Sequence, residues 1–127
     1  IKTYKYRNEV KILLDLPKTE LVKITAAAYA FVYPALYEGI AQYPFRAMQC
    51  DVPAVTTNTG ALSELMGNAA VYADPENFED IAYKMMLVFK DETFRNKLIE
   101  NGRLRIEQFK KQNQDDQAGQ SIERLLR

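Results

Sequence analysis

The chain has 127 residues, with 17 basic and 17 acidic side chains, one cysteine and no histidine. That length suits one domain around one core, and the charge balance leaves no basic surplus for a nucleic-acid footprint. Without histidine, no Ser-His-Asp triad, Cys-His pair or histidine-ligated zinc site can form, so acid–base chemistry would fall to carboxylates, lysine or tyrosine.

No run approaches the roughly 18 apolar residues of a membrane span. The opening IKTYKYRNEV lacks the apolar core of a signal peptide. Cys50 has no partner for an internal disulfide, which favours a reducing compartment and a small buried role. The chain starts on Ile1, close to a predicted strand, and reads as an excised or incomplete domain.

Val10 to Leu14 is the first predicted strand, followed by a turn at Leu16 to Thr19. Thr19 is placed to cap a helix through Leu21, Ile24 and Ala28. Tyr29 to Tyr33 is an apolar, β-rich run ended by Pro34, as expected of a strand buried on both faces of a parallel sheet. Pro44 suits the first turn of the next helix, where a missing N–H does no harm. That helix continues to Cys50, and Pro53 to Thr56 forms the next strand.

A helical turn at Leu62 to Met66 ends on Gly67, and Ala70 to Ala73 is a further strand. Asn77 is placed to cap a helix in which Phe78, Ile81, Ala82, Met85 and Phe89 recur at helical spacing, an expected inward face. From about Glu92 to Phe109 another helix carries Phe94, Leu98 and Ile106 inward, weakened at Gly102. Gln112 to Gln117 reads as a polar linker before a last short helix around Ile122, Leu125 and Leu126. Lys97, Arg103, Arg105, Lys110 and Lys111 read as a solvated helical face. Strands and helices alternate, then only helices follow, which implies a parallel α/β sheet with a helical C-terminal extension over about residues 92–127.

The most informative stretch is Pro34 to Glu64, PALYEGIAQYPFRAMQCDVPAVTTNTGALSE. Glu38-Gly39 follows one strand. Ala47-Met48 lies in the following helix, and Asp51-Val52-Pro53-Ala54-Val55 leads into and along the next strand. The turn Asn58-Thr59-Gly60 comes next, with Glu64 downstream, and Asp74-Pro75 precedes a later helix. Two strand ends thus present loops to one edge of a sheet, the edge where open α/β sheets bind ligands.

Taken in order over one contiguous span, these residues resemble the nucleotide-sugar-binding domain of group 1 glycosyltransferases. The likeness runs from about Tyr6 to Phe109 and is strongest from Ala30 to Asp74. The resemblance implies a Rossmann-like fold, specifically the C-terminal, donor-binding domain of the two-domain GT-B architecture, occupying the whole of residues 1–127. It also implies a hexosyltransferase moving sugar from a nucleotide diphosphate donor to a saccharide or lipid-linked acceptor. The acceptor would be held by an N-terminal domain absent from this chain, and the isolated chain would be inactive. No cofactor or metal is implied, nor any nucleic-acid partner. The implied setting is polysaccharide biosynthesis in the cytoplasm, with peripheral contact at the inner face of the membrane as an option.

By the same resemblance Glu38 faces the donor sugar as the catalytic-site carboxylate. Gly39, Ile40 and Ala41 pass their backbone beside the sugar and diphosphate, and Asn58, Thr59 and Gly60 form the adjoining turn. Arg46 stands where the family places a second Glu on the ribose hydroxyls. A guanidinium donates hydrogen bonds and accepts none, so Arg46 would meet a phosphate, or Glu38, in place of the ribose. Against the enzyme stands a second reading, a non-catalytic binding or scaffolding descendant of the same fold, favoured by Arg46. A doubly wound signalling domain is a third, but it would want clustered acids at strand ends, and Asp15 alone does not supply them.

Overall fold

The computed structural model describes residues 5–36 and 41–116. Helix α1 (Lys18–Ala27) leads into strand β1 (Phe31–Val32). Helix α2 (Gln42–Gln49) then connects to β2 (Ala54–Thr56), and α3 (Gly60–Met66) connects to β3 (Ala70–Tyr72). Helices α4 (Phe78–Lys90) and α5 (Glu92–Asp116) follow. The three strands are parallel in the order β1-β2-β3, with Phe31 opposite Ala54 and Val55 opposite Val71. The architecture is therefore α/β, a parallel sheet flanked by five helices among the described residues, consistent with a Rossmann-like GT-B domain.

Central strand β2 is buried throughout, as a parallel strand covered on both faces must be. One cluster packs Phe45, Met48, Leu62, Leu65, Met66 and Phe109 together, and the other packs Val55, Val71, Val88 and Leu98. Helix α5, at 25 residues, supplies Phe109 to the first and Leu98 to the second, so one helix closes both.

Local signals account for several boundaries. Asn77 Oδ1 accepts from the Glu79 and Asp80 N–H groups at 3.0 and 3.1 Å, capping α4. Gly67 ends α3 at φ 52° and ψ −127°, a conformation that side chains resist. Gly102 answers to packing: a Cβ there would lie 2.9 Å from Met48 Cγ. The glycine that weakens α5 locally is what lets α5 approach α2.

Five expectations are corrected. Val10 to Leu14 is exposed and unpaired chain, with Leu14 79% exposed; no described strand lies beside it, and β-propensity without a ladder partner makes no strand. Helix α1 starts at Lys18 with Pro17 before it, so Thr19 lies inside the helix and caps nothing. Strand β1 is confined to Phe31 and Val32, both half-buried, and Tyr29 is exposed. On α4 Ile81 packs inward as expected, joined by Val88, whereas Phe78 and Phe89 are 80% and 67% exposed. Both stripes of α4 are apolar at helical spacing, and only the sheet it packs on chooses between them. Last, Gln112 to Asp116 extends α5 instead of linking, since no Pro or Gly interrupts it. Gln117 and the short helix expected around Ile122 lie outside the described residues.

Candidate functional site

The carboxyl ends of β1 and β2 are tied together by two threonines, both fully buried. Thr56 Oγ1 donates to the Tyr33 carbonyl and Thr57 Oγ1 to the Ala35 carbonyl, each at 2.9 Å. Thr57 Oγ1 also lies 3.5 Å from Thr59 Oγ1. Hydroxyls at the end of a covered strand need partners, and the loop leaving β1 supplies them. The turn after β2 and the loop after β1 are thereby held side by side. Tyr33 contributes a ring packed edge-on against Tyr43 at 6.0 Å, which joins the same loop to α2.

Within this frame Asn58 and Gly60 are exposed, Thr59 is half-buried, and α3 begins at Gly60. Ala41 is buried at the entry to α2. Glu38, Gly39 and Ile40 lie outside the described residues. Arg46 is half-buried on α2 and makes no side-chain hydrogen bond or ion pair with another described residue. It lines two cavities, one against α1 with Leu21, Phe31 and Cys50, the other against α5 with Phe109 and Lys110. Neither of these two cavities is lined by the Asn58 to Gly60 turn. Cys50 is half-buried, more open than its expected core role.

Helix α5 holds the scaffold with three arginines; of the two expected on a solvated face, Arg103 is exposed and Arg105 is half-buried. Arg95 donates to the Tyr29 carbonyl at 3.0 Å and stacks over the Tyr29 ring at 3.9 Å. Arg105 donates to the carbonyls of Leu65 and Glu64, which the end of α3 leaves without helical partners. Arg103 grips Asp51 with two parallel bonds of 3.0 and 2.9 Å. Those bonds hold the Asp51 carboxyl below its usual range. Asp51 sits at φ 60°, in the left-handed region that favours glycine. Nearby, Tyr72 donates to the Gly67 carbonyl at 2.5 Å, and burial pushes its phenol pKa up. The threonine ties and the arginine staples both escaped the sequence reading. Thr56-Thr57 at a strand end was the available signal for the former; the arginines gave none that separates a surface cation from a staple.

Among the described residues no helix is long and apolar enough to cross a membrane, and no group of His, Cys, Asp or Glu is arranged for a metal. The profile of the family described as "Glycosyl transferases group 1" matches residues 1–105. The chain is 33% identical over 104 residues to the O-antigen chain mannosyltransferase B of Escherichia coli, covering 82% of this chain and 27% of that protein. It is 34% identical over 79 residues to the capsular polysaccharide biosynthesis glycosyltransferase CapM of Staphylococcus aureus, covering 61% and 21%. To the O-antigen chain mannosyltransferase RfbU of Salmonella typhimurium it is 30% identical over 71 residues, covering 56% and 20%. The chain thus spans about a quarter of the length of these relatives. No solved structure gives a significant match. With the parallel sheet, the tied strand ends and the profile match in agreement, the chain belongs to the group 1 glycosyltransferase family.

Proposed function

We propose that residues 1–127 are the C-terminal, donor-binding part of a GT-B glycosyltransferase, and that the whole protein transfers a hexose from a nucleotide diphosphate sugar to a saccharide or lipid-linked acceptor. Mannose is the hexose favoured, because two of the three relatives above have mannosyl transfer in their names. The observation that carries this reading is the pair of threonine ties, which set the loop after β1 beside the turn after β2 at the carboxyl edge of the sheet.

In this reading Glu38 accepts hydrogen bonds from hydroxyls of the donor sugar. The backbone of Gly39, Ile40 and Ala41 passes beside the diphosphate, close to the start of α2. Asn58, Thr59 and Gly60 line the other side. The departing diphosphate is stabilised by backbone N–H groups at the helix start and by basic residues outside this chain. Acceptor binding belongs to another domain, and contact with the membrane to the acceptor it serves.

Titration of the intact chain with UDP- and GDP-sugars, GDP-mannose included, tests the reading by heat and by backbone resonances of Asn58 to Gly60. Binding with shifts at that turn supports it; silence at millimolar ligand sinks it. A carboxylate at position 46 would restore acceptors for the ribose hydroxyls, so Arg46→Glu is expected to tighten donor binding about tenfold. The binding-module reading, favoured by Arg46, expects nucleotide binding to be absent and Arg46→Glu to change nothing.

A further inference from the structure

We propose that the groove between α2 and α5 binds a small phosphate-bearing polyol, such as a sugar phosphate, at a site that shares Arg46 with the donor reading but none of the Asn58 to Gly60 turn. The groove has a volume of about 320 Å³. Its apolar base is Phe45 from α2 and Phe109 from α5, packed edge to face at 6.0 Å. Arg46 and Lys110 stand on its opposite walls.

The charge pattern is specific. Arg95, Arg103 and Arg105 of α5 are all engaged, with Tyr29, Asp51, and the carbonyls of Leu65 and Glu64. Arg46 and Lys110 make no side-chain hydrogen bond or ion pair with another described residue. No carboxylate lines the groove among the described residues. Two cations without described partners line one cavity, and one of them carries the planar fork that matches phosphate oxygens.

Asn113 supplies the second half of the argument. Its Oδ1 is buried in the same groove and has no hydrogen-bond partner. A buried acceptor calls for a donor. The oxygens of a phosphate monoester dianion answer the two cations but bring no donor to Asn113; a polyol hydroxyl does. The amides of Gln42 and Gln49 on the α2 wall can bind further hydroxyls. The aromatic base suits the C–H face of a sugar ring. A single molecule that carries both an anion and a hydroxyl answers both at once. The proposal does not rest on the donor reading, since none of the residues that line the groove belongs to the Asn58 to Gly60 turn.

The intact chain is titrated with glucose 1-phosphate, inorganic phosphate, glucose and phosphatidylinositol vesicles, with heat and the amide resonances of Lys110 and Asn113 as readouts. Glucose 1-phosphate is expected to bind, inorganic phosphate more weakly, and glucose not at all. Lys110 is exposed, so Lys110→Gln keeps the fold and is expected to weaken binding about tenfold. Asn113→Leu is expected to bring glucose 1-phosphate down to the level of inorganic phosphate. Absence of shifts at Lys110 and Asn113 with millimolar glucose 1-phosphate overturns the proposal, as does unchanged affinity in Lys110→Gln. A response to the vesicles alone also overturns it, in favour of a lipid surface. Nucleotide sugars report at Asn58 to Gly60, so failure at the groove leaves the donor reading standing, and the reverse holds too.

Discussion

Thr57 Oγ1 donates to the Ala35 carbonyl at 2.9 Å, joining the ends of two parallel strands across 22 positions of chain. Both loops of the candidate donor edge hang from that bond and its neighbour, Thr56 to Tyr33. A buried hydroxyl is thus the device that turns two separate strand ends into one site.

Thr57→Val keeps the shape and removes the donor. The Ala35 carbonyl would lose its partner, so stability is expected to fall by about 1–3 kcal/mol. Thr57→Ser should retain most of it. Urea unfolding measures the stability, and nucleotide-sugar titration shows whether donor affinity falls in parallel. Equal stability of Val and wild type would show that the tie contributes nothing.

Asp51 combines a left-handed backbone with the Arg103 pair. Asp51→Gly relieves the backbone and loses the pair. A left-handed backbone costs a non-glycine residue about 1 kcal/mol and solvent screens the exposed pair, so Asp51→Gly should be no less stable than wild type. Asp51→Ala loses the pair without easing the backbone and should be the less stable of the two. The sign with pH follows from a lowered carboxyl pKa: the pair's contribution is present above the ordinary value of 3.8 and is lost as pH falls through the folded-state value. Denaturation at neutral pH and below pH 3.8 should show wild type losing its advantage over Asp51→Asn.

Arg105 reaches two carbonyls at the end of α3 and lies 5.0 Å from the Phe109 ring centre. Arg105→Met keeps the bulk and strands both acceptors, at about 2 kcal/mol. Arg105→Lys should rescue little, because one ammonium on a flexible stem does not reproduce the fork. Full rescue by Lys would reduce the staple to a charge effect. Thermal unfolding of the three proteins decides.

Gly102 sets two rules against each other. Helix propensity favours alanine by about 1 kcal/mol. A Cβ would meet Met48 Cγ at 2.9 Å, and overpacking costs about 1–3 kcal/mol. Gly102→Ala is expected to destabilise. In a Met48→Ala background the same change should stabilise, and a double-mutant cycle would return a coupling above about 1 kcal/mol. An additive cycle would place the glycine's role elsewhere.

How much was readable varied with the range of the interaction. The Asn77 cap, the Gly67 terminus and Pro44 in the first turn of α2 are local chemistry, and each stands where the residue types imply. The Pro34 to Glu64 motif order led to the family that the profile match shows. The face of α4 was misread in part: Ile81 packs inward, but Phe78, Ala82, Met85 and Phe89 continue its apolar stripe on the side away from Val88, a side that the core does not cover. Arg103 and Arg105 looked like solvated cations because their partners, Asp51, Leu65 and Glu64, lie 40 or more positions away.

The sequence by itself determined the alternation from β1 to α4, the end of α3, the cap of α4 and the order of the family motif. These follow from backbone propensity, capping and spacing within a few residues. Only the tertiary structure decided which apolar stripe faces the sheet, why Gly102 carries no side chain, and where the α5 arginines go. It also decided that Arg46 faces a groove shared with Lys110 and Asn113. Those outcomes depend on which surfaces meet, and a periodic pattern specifies that a face exists without naming its partner.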